Sequence, residues 1–300
     1  MAFLTVRHET VYRYSEDVGL GEHRMMFRPR ASHDLRLIQT GLSISPTPTQ
    51  LRWLHDPFDN SVAVATFAGT TRELRFESVV TLEHFESTVP EYPLEESART
   101  YPFRYSDGDF SNLGGGLTNR FSNTETGVWA LQFLDNAPST ETMKILRSMT
   151  FGIRDGFKYS RRIEKGVQTP DDTLRTRSGS CRDFAVLMME AARSLGIATR
   201  FVSGYIFVPE SSNGNGGGST HAWIQAYLPG AGWIDFDPTN SIIGNRNLIR
   251  VGVAWTPDQV LPLSGTYLGP PDAFQGMDVT VTVSEAQDSG NQVATRVASC

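Results

Sequence analysis

Alternation of apolar and polar positions dominates the first ninety residues. From Phe3 to Tyr14, the positions Leu4, Val6, His8, Thr10 and Tyr12 fall on one side of an extended chain. Ser61 to Phe67 and Glu73 to Leu82 are similarly rich in β-branched and aromatic residues, as strands with one buried face are. Met25-Met26-Phe27 reads as part of a further strand. Ser45-Pro46-Thr47-Pro48 and Asp56-Pro57-Phe58-Asp59-Asn60 place proline-fixed φ angles and Asn or Asp turn chemistry between these runs, which predicts an antiparallel meander or sandwich. No helical period of useful length occurs before residue 90.

From Glu91 to Gly127 the pattern dissolves into Pro, Ser, Asn and Gly, including Asn112-Leu113-Gly114-Gly115-Gly116, and is read as a connector or a functional loop. Helical spacing follows. Val128, Leu131 and Leu134 recur every three residues, and Met143, Leu146, Met149 and Ile153 recur at three and four after candidate caps at Ser139 and Thr140, predicting two core-facing helices. Thr169-Pro170-Asp171-Asp172 combines a cap, a proline at the first helical position and an acidic residue three after the cap, a helix start. Phe184, Leu187, Met188, Ala191 and Leu195 then trace one face of a longer helix that stops at Gly196, with Cys181 one turn upstream on the same stripe.

Strands are expected at Thr199 to Val208, Ala222 to Leu228 and Trp233 to Asp237, the last ended by Pro238. The glycine-rich Glu210 to Thr220 is read as a hairpin connection that delivers His221 to a strand start, because no P-loop lysine follows it. Asp278 to Ser284 alternates again, and Glu285 to Cys300 is polar and read as a loose tail. The expected organisation is therefore a β-rich unit over 1–90, a second unit over 91–265, and a C-terminal strand and tail over 266–300.

Composition narrows the function classes. A chain of 300 residues exceeds one compact core, and 39% hydrophobic with 20% charged residues is ordinary for a globular protein. The net charge of -6 and the dispersed arginines, such as Arg24, Arg28 and Arg30, give no basic stripe, so no nucleic-acid partner is expected. No run approaches the roughly 20 apolar residues that cross a bilayer, and no Cys-x-x-Cys pair or histidine cluster has metal-ligand spacing. Neither a membrane partner, nor a metal, nor another cofactor is expected. The N-terminal residues lack a basic region followed by an apolar run. With Cys181 and the last residue, Cys300, as the two cysteines, a reducing, cytoplasmic setting is the expectation.

Cys181 carries the chemistry. An isolated cysteine on an apolar helical stripe is ordinarily a small core residue, but this one lies in Gly179-Ser180-Cys181-Arg182-Asp183-Phe184, where a turn runs into a helix. Unpaired N–H groups at a helix start favour a thiolate. A nucleophile also needs a base and a group that orients the base. His221 is the candidate base, and the two-residue period of Trp233-Ile234-Asp235-Phe236-Asp237 puts Asp235 and Asp237 on one face as equal candidates for the orienting group. The backbone N–H of Cys181 is a natural donor to an oxyanion.

The run Gly179 to Ala185, the run His221-Ala222-Trp223-Ile224-Gln225-Ala226-Tyr227-Leu228-Pro229-Gly230-Ala231-Gly232-Trp233 and the run Phe236-Asp237-Pro238-Thr239-Asn240 together resemble the bacterial transglutaminase-like proteins of the papain-like cysteine superfamily. The strand-rich first ninety residues are similar to the β-rich domain that precedes the catalytic domain in one bacterial branch. The stretch Val251 to Asp258 departs from the Gly-Arg-Asp-Tyr-type sequence of that branch. The resemblance implies an α+β fold: an N-terminal antiparallel β domain, then a papain-like, transglutaminase-like core with its nucleophile at a helix N-terminus packed on an antiparallel sheet. It implies Cys181 as nucleophile, His221 as base and acid, and Asp237, rather than Asp235, as the orienting group.

The activity this implies is cysteine-dependent acyl transfer at an amide carbonyl through a thioester. Water as acceptor makes a peptidase or amidase, and an amine acceptor makes a transamidase. The substrate would be a peptide, a protein or a small amide. The competing expectation is a catalytically idle scaffold, in which the fold serves as a peptide- or protein-binding module.

Overall fold

The computed structural model describes residues 2–86, 91–121, 124–162, 166–209 and 217–285. Among these, seven strands form a sheet centred on the long β1 (Ala2–Met25). The other N-terminal members are β2 (Leu35–Ser45), β3 (Gln50–His55), β4 (Ser61–Thr66) and β5 (Thr70–His84), in the order β2-β5-β1-β4-β3. Two strands from the far end of the chain, β15 (Leu263–Leu268) and β16 (Phe274–Glu285), also pair with β1. The first half of β1 runs between β5 and β16, and its second half pairs with β4 and β15. Register slips between Arg13 and Val18, across the exposed Ser15-Glu16-Asp17, and such an irregularity bends a strand.

The second unit places its helices against a sheet. Two short pairs come first: β6 (Thr100–Tyr101) with β7 (Thr140–Glu141), and β8 (Lys158–Tyr159) in parallel with β9 (Ser178–Gly179). The helices are α1 (Asp107–Leu117), α2 (Thr124–Leu131), α3 (Thr142–Gly156), α4 (Pro170–Thr176) and α5 (Cys181–Ser194). The antiparallel sheet has the order β13-β12-β11-β10-β14, with β10 (Thr199–Val208), β11 (Gly217–Leu228), β12 (Gly232–Asp237), β13 (Ile242–Ile243) and β14 (Leu248–Ala254).

Helix α5 is the centre of this unit. Every residue from Asp183 to Arg193 is buried, and Phe184, Leu187, Met188 and Ala191 share a core with Ala222, Ile224 and Ala226 of β11 and with Ile234 and Phe236 of β12. That burial of large apolar side chains, each worth about 1.5–3 kcal/mol, fixes the helix and therefore its N-terminus. Its polar residues are satisfied internally: Arg193 pairs with Glu190 at 2.8 Å and donates to the carbonyls of Gly116, Thr199 and Trp255.

The two sheets meet in a second apolar core. Leu4 and Val6 of β1, with Val80 and Leu82 of β5, pack against Tyr205 and Phe207 of β10 and Ile249 and Val251 of β14. Polar contacts set the registration: His8 Nδ1 lies 2.9 Å from the Tyr205 hydroxyl. Asn60 both donates to the Val253 carbonyl at 2.8 Å and accepts from its N–H at 2.9 Å.

Several elements differ from the sequence expectation. The glycine-rich stretch within 91–127 holds helix α1, started by Ser106, whose hydroxyl accepts the Asp109 N–H at 3.1 Å. Gly115 and Gly116 allow close approach: a Cβ on Gly115 would lie 2.4 Å from Trp255 Nε1, and one on Gly116 3.0 Å from the Thr199 carbonyl oxygen. Strands β2 and β3 are mostly exposed and so lack the alternation that marks β1. Helix α2 ends at Leu131, short of Leu134. Helix α3 is capped at Glu141 without a side-chain bond, and Thr140 instead accepts the Asp135 N–H at 2.8 Å. The expected boundary at 265 falls inside β15, and most of the glycine-rich connection before His221 and the tail from 286 onward lie outside the described residues.

Candidate active site

The turn before Cys181 is built by pairing and capping. Tyr159 of β8 lies opposite Gly179 of β9, and the Ser160 N–H donates to the Gly179 carbonyl at 2.9 Å. Helix α4 begins as its sequence predicts, with Thr169 accepting the Asp172 N–H at 3.1 Å. It ends at Arg177 in the left-handed region with φ 51°, which reverses the chain toward Ser180. Asp183, wholly buried, then closes the first turn of α5. Its Oδ2 accepts the Ser180 N–H and hydroxyl, each at 2.8 Å, and its Oδ1 accepts the Gln168 N–H at 2.7 Å and the Arg162 guanidinium at 2.9 Å. The carboxylate thus serves the helix start and is committed to structure.

Cys181 is half-buried at the first position of α5. Its sulfur faces the buried imidazole of His221 closely enough to raise that ring. His221 Nε2 is 2.8 Å from Asp237 Oδ2, which leaves Nδ1 for the sulfur. Burial works against a charged ring here, but the Asp237 carboxylate and Cys181 outweigh it and push the imidazole from 6.5 up to about 10. Tyr159, exposed beside the sulfur with its ring edge against Phe184, has its phenol pushed up by burial and then by Cys181.

Asp237 is itself held by the chain that follows it. Its Oδ1 accepts the N–H groups of Thr239 at 2.9 Å and Asn240 at 3.3 Å, and its Oδ2 accepts the Asn240 side-chain amide at 2.7 Å. The same Asn240 amide nitrogen is 3.3 Å from His221 Nε2. The exposed Asn240 therefore covers the solvent side of the His221–Asp237 contact. No role for it was legible in the sequence beyond its place after Asp237-Pro238-Thr239.

The other carboxylate of β12 goes elsewhere. Asp235 Oδ1 accepts the indole N–H of Trp223 at 2.6 Å and makes no hydrogen bond to His221 among the described contacts. The structure thus brings Cys181, His221 and Asp237 together and leaves Asp235 one residue pair away. Among the described residues no group of three or more His, Cys, Asp or Glu is gathered as for a metal ion, and no helix is long and apolar enough to cross a membrane.

Two family models match the chain. The Bacterial transglutaminase-like N-terminal region is matched by residues 4–83, and the Transglutaminase-like superfamily by residues 132–238. The core of the chain over residues 132–238 is transglutaminase-like. In this transglutaminase-like protein the N-terminal match coincides with β1 to β5, and the core match contains Cys181, His221 and Asp237 and ends one residue after the aspartate.

An uncharacterized protein of Mycobacterium tuberculosis is 27% identical over 279 residues, covering 87% of this chain and 86% of its own length. A protein-glutamine gamma-glutamyltransferase of Pseudomonas aeruginosa is 33% identical over 90 residues, which is 27% of this chain and 13% of that protein. Among solved structures, a candidate cysteine protease from Cytophaga hutchinsonii superposes with a TM-score of 0.70 at 16% identity, covering 95% of this chain and 92% of that one. This likeness extends over both sheets, so the fold described above, β-rich N-terminal region included, is shared with that structure across nearly the whole chain.

Proposed function

We propose that this protein is a cysteine-dependent acyl-transfer enzyme that acts on amide carbonyls through a thioester. The observation that carries the reading is the juxtaposition of Cys181, at the start of a buried helix, with an imidazole that Asp237 holds at 2.8 Å.

His221, pushed up to about 10, takes the Cys181 proton near neutral pH and becomes an imidazolium beside Asp237. The sulfur attacks the amide carbonyl carbon, and the C=O electron pair moves to oxygen. The backbone N–H groups at the start of α5 stabilise that oxyanion. His221 then returns its proton to the nitrogen, the C–N bond breaks, and an amine departs from a Cys181 thioester. In the second half, His221 removes a proton from water or from an incoming amine, which attacks the thioester carbonyl. The C–S bond breaks and the thiol is restored. Water yields an acid, and an amine yields a new amide.

The Pseudomonas aeruginosa relative is named for transfer of a glutamine acyl group, and this supports a glutamine-type side-chain amide as the first donor to try. The test is incubation with glutamine-containing peptides, with and without a primary amine, while ammonia release and product mass are followed. Turnover that disappears in Cys181→Ser supports the reading, and the product distribution separates hydrolysis from transamidation. Absence of turnover and of any acyl adduct on Cys181 across peptide, protein and small-amide panels would favour the idle scaffold.

A further inference from the structure

We propose that Asp235 and Trp223 form a positioning pair for His221, in which Asp235 fixes the indole and the indole forms the wall that sets the plane of the imidazole. The inference rests on the reading of Cys181 and His221 as the reacting pair.

The geometry is continuous from one group to the next. His221 and Trp223 stand two residues apart on β11, and their rings stack with centroids 5.9 Å apart and an interplanar angle of 24°. The indole is fully buried among Val202, Ile206, Leu248 and Val253. Gly204, the β10 partner of His221 in register, leaves it that space: a Cβ there would lie 2.8 Å from Trp223 Cη2 and 2.1 Å from the Ile249 carbonyl oxygen. The indole N–H is anchored by Asp235 at 2.6 Å.

A buried carboxylate is a costly way to satisfy one indole N–H. Burial pushes Asp235 up, opposed by the Trp223 bond, Arg250 of β14 and Gln225 of β11, and reinforced by Asp34. Arg200 of β10 and Tyr92 also feel its charge. Asp235 bonds the indole rather than the ring, while Asp237 and Cys181 are the groups that raise His221. Its influence on the imidazole therefore passes through the position of the indole. A charge-assisted bond is shorter and stronger than a neutral one, and an orientation error of about 1 Å in a reacting group costs as much as 10²-fold in rate.

The test uses the full chain in a Cys300→Ser background, so that iodoacetamide labelling reads Cys181. The pH–rate profile of labelling is measured for the parent, Asp235→Asn, Asp235→Leu, Trp223→Phe and the Asp235→Leu/Trp223→Phe double variant, with thermal unfolding alongside. Asp235→Asn keeps an acceptor but loses the charge-assisted bond, and is expected to label at a rate between the parent and Asp235→Leu. Asp235→Leu and Trp223→Phe, which break the bond from either side, are expected to slow labelling near pH 6 by about tenfold or more, and the double variant to lose no more than the worse single. Trp223→Phe retains a ring and serves where Asp235→Leu does not fold. Folded single variants with the parent profile, or losses that simply add, overturn the pair. A parent that shows no activated thiol overturns the pair together with the functional reading, whereas an activated parent with unaffected variants overturns the pair alone.

Discussion

Asp183 Oδ2 accepts both the backbone N–H and the hydroxyl of Ser180, each at 2.8 Å, one residue before Cys181. The same carboxylate accepts Gln168 N–H and Arg162 through its other oxygen, so a single buried charge fixes the turn, the helix start and the segment before α4. Asp183→Ala strands those donors in a buried site. The expected loss is about 3 kcal/mol, seen as a lower midpoint in thermal or denaturant unfolding, together with slower alkylation of Cys181. A midpoint equal to wild type would remove Asp183 from this role.

Asp237 separates from Asp235 in the same way, by what it touches. Asp237→Ala leaves His221 Nε2 without its carboxylate and the imidazole exposed to the lowering effect of burial. Because Asp237 leads the causes that raise the ring to about 10, its removal shifts the His221 titration, followed by NMR, well below that value. Turnover is expected to fall by roughly 10⁴-fold in Asp237→Asn, which keeps the shape and loses the charge.

His8 predicts a pH dependence of stability unrelated to the chemistry. Burial at the sheet junction lowers it from 6.5 to about 4, while Nδ1 meets the Tyr205 hydroxyl. The unfolded chain binds the proton first, so this histidine costs nothing above about pH 6.5, and the stability is lost as the pH falls from there toward 4. The depression corresponds to roughly 3 kcal/mol, reached once the pH is below both values. His8→Gln should flatten that part of the stability–pH curve, and an unchanged slope would assign it elsewhere.

Helix α1 owes its position to glycine. Gly115→Ala drives a Cβ to within 2.4 Å of the Trp255 indole nitrogen and is expected to lower stability by about 1–3 kcal/mol, read by denaturant unfolding. Gly114→Ala meets nothing within 4 Å and serves as the control, expected at or above wild-type stability because alanine favours helix.

These glycines also mark where the sequence stops being legible. Strand β1 could be read because Leu4, Val6, His8 and Thr10 are all buried on one side, and α5 because its apolar positions recur at helical spacing. The three motifs around Cys181, His221 and Asp237 pointed to one site for the same reason: each sits at a local signal, a helix start or a strand end. Helix α1 was hidden because its Gly115 and Gly116 answer to Trp255, far along the chain. Strands β2 and β3 were hidden because exposed edges need no alternation. A period of two treats Asp235 and Asp237 alike, and only the resemblance carried by the Phe236 to Asn240 run singled out Asp237; in the structure the indole of Trp223 takes Asp235, and Asp237 meets His221.

Whether His221 activates Cys181 is read from iodoacetamide labelling followed by intact mass from pH 5 to 9, with wild type compared with Cys181→Ala, Cys300→Ala and His221→Ala. Fast labelling of Cys181 is expected to persist to about pH 6, far below the ~8.5 at which free thiols ionise, and to revert to the ordinary alkaline profile in His221→Ala. Slow wild-type labelling that rises only at alkaline pH, unchanged by His221→Ala, would contradict that activation.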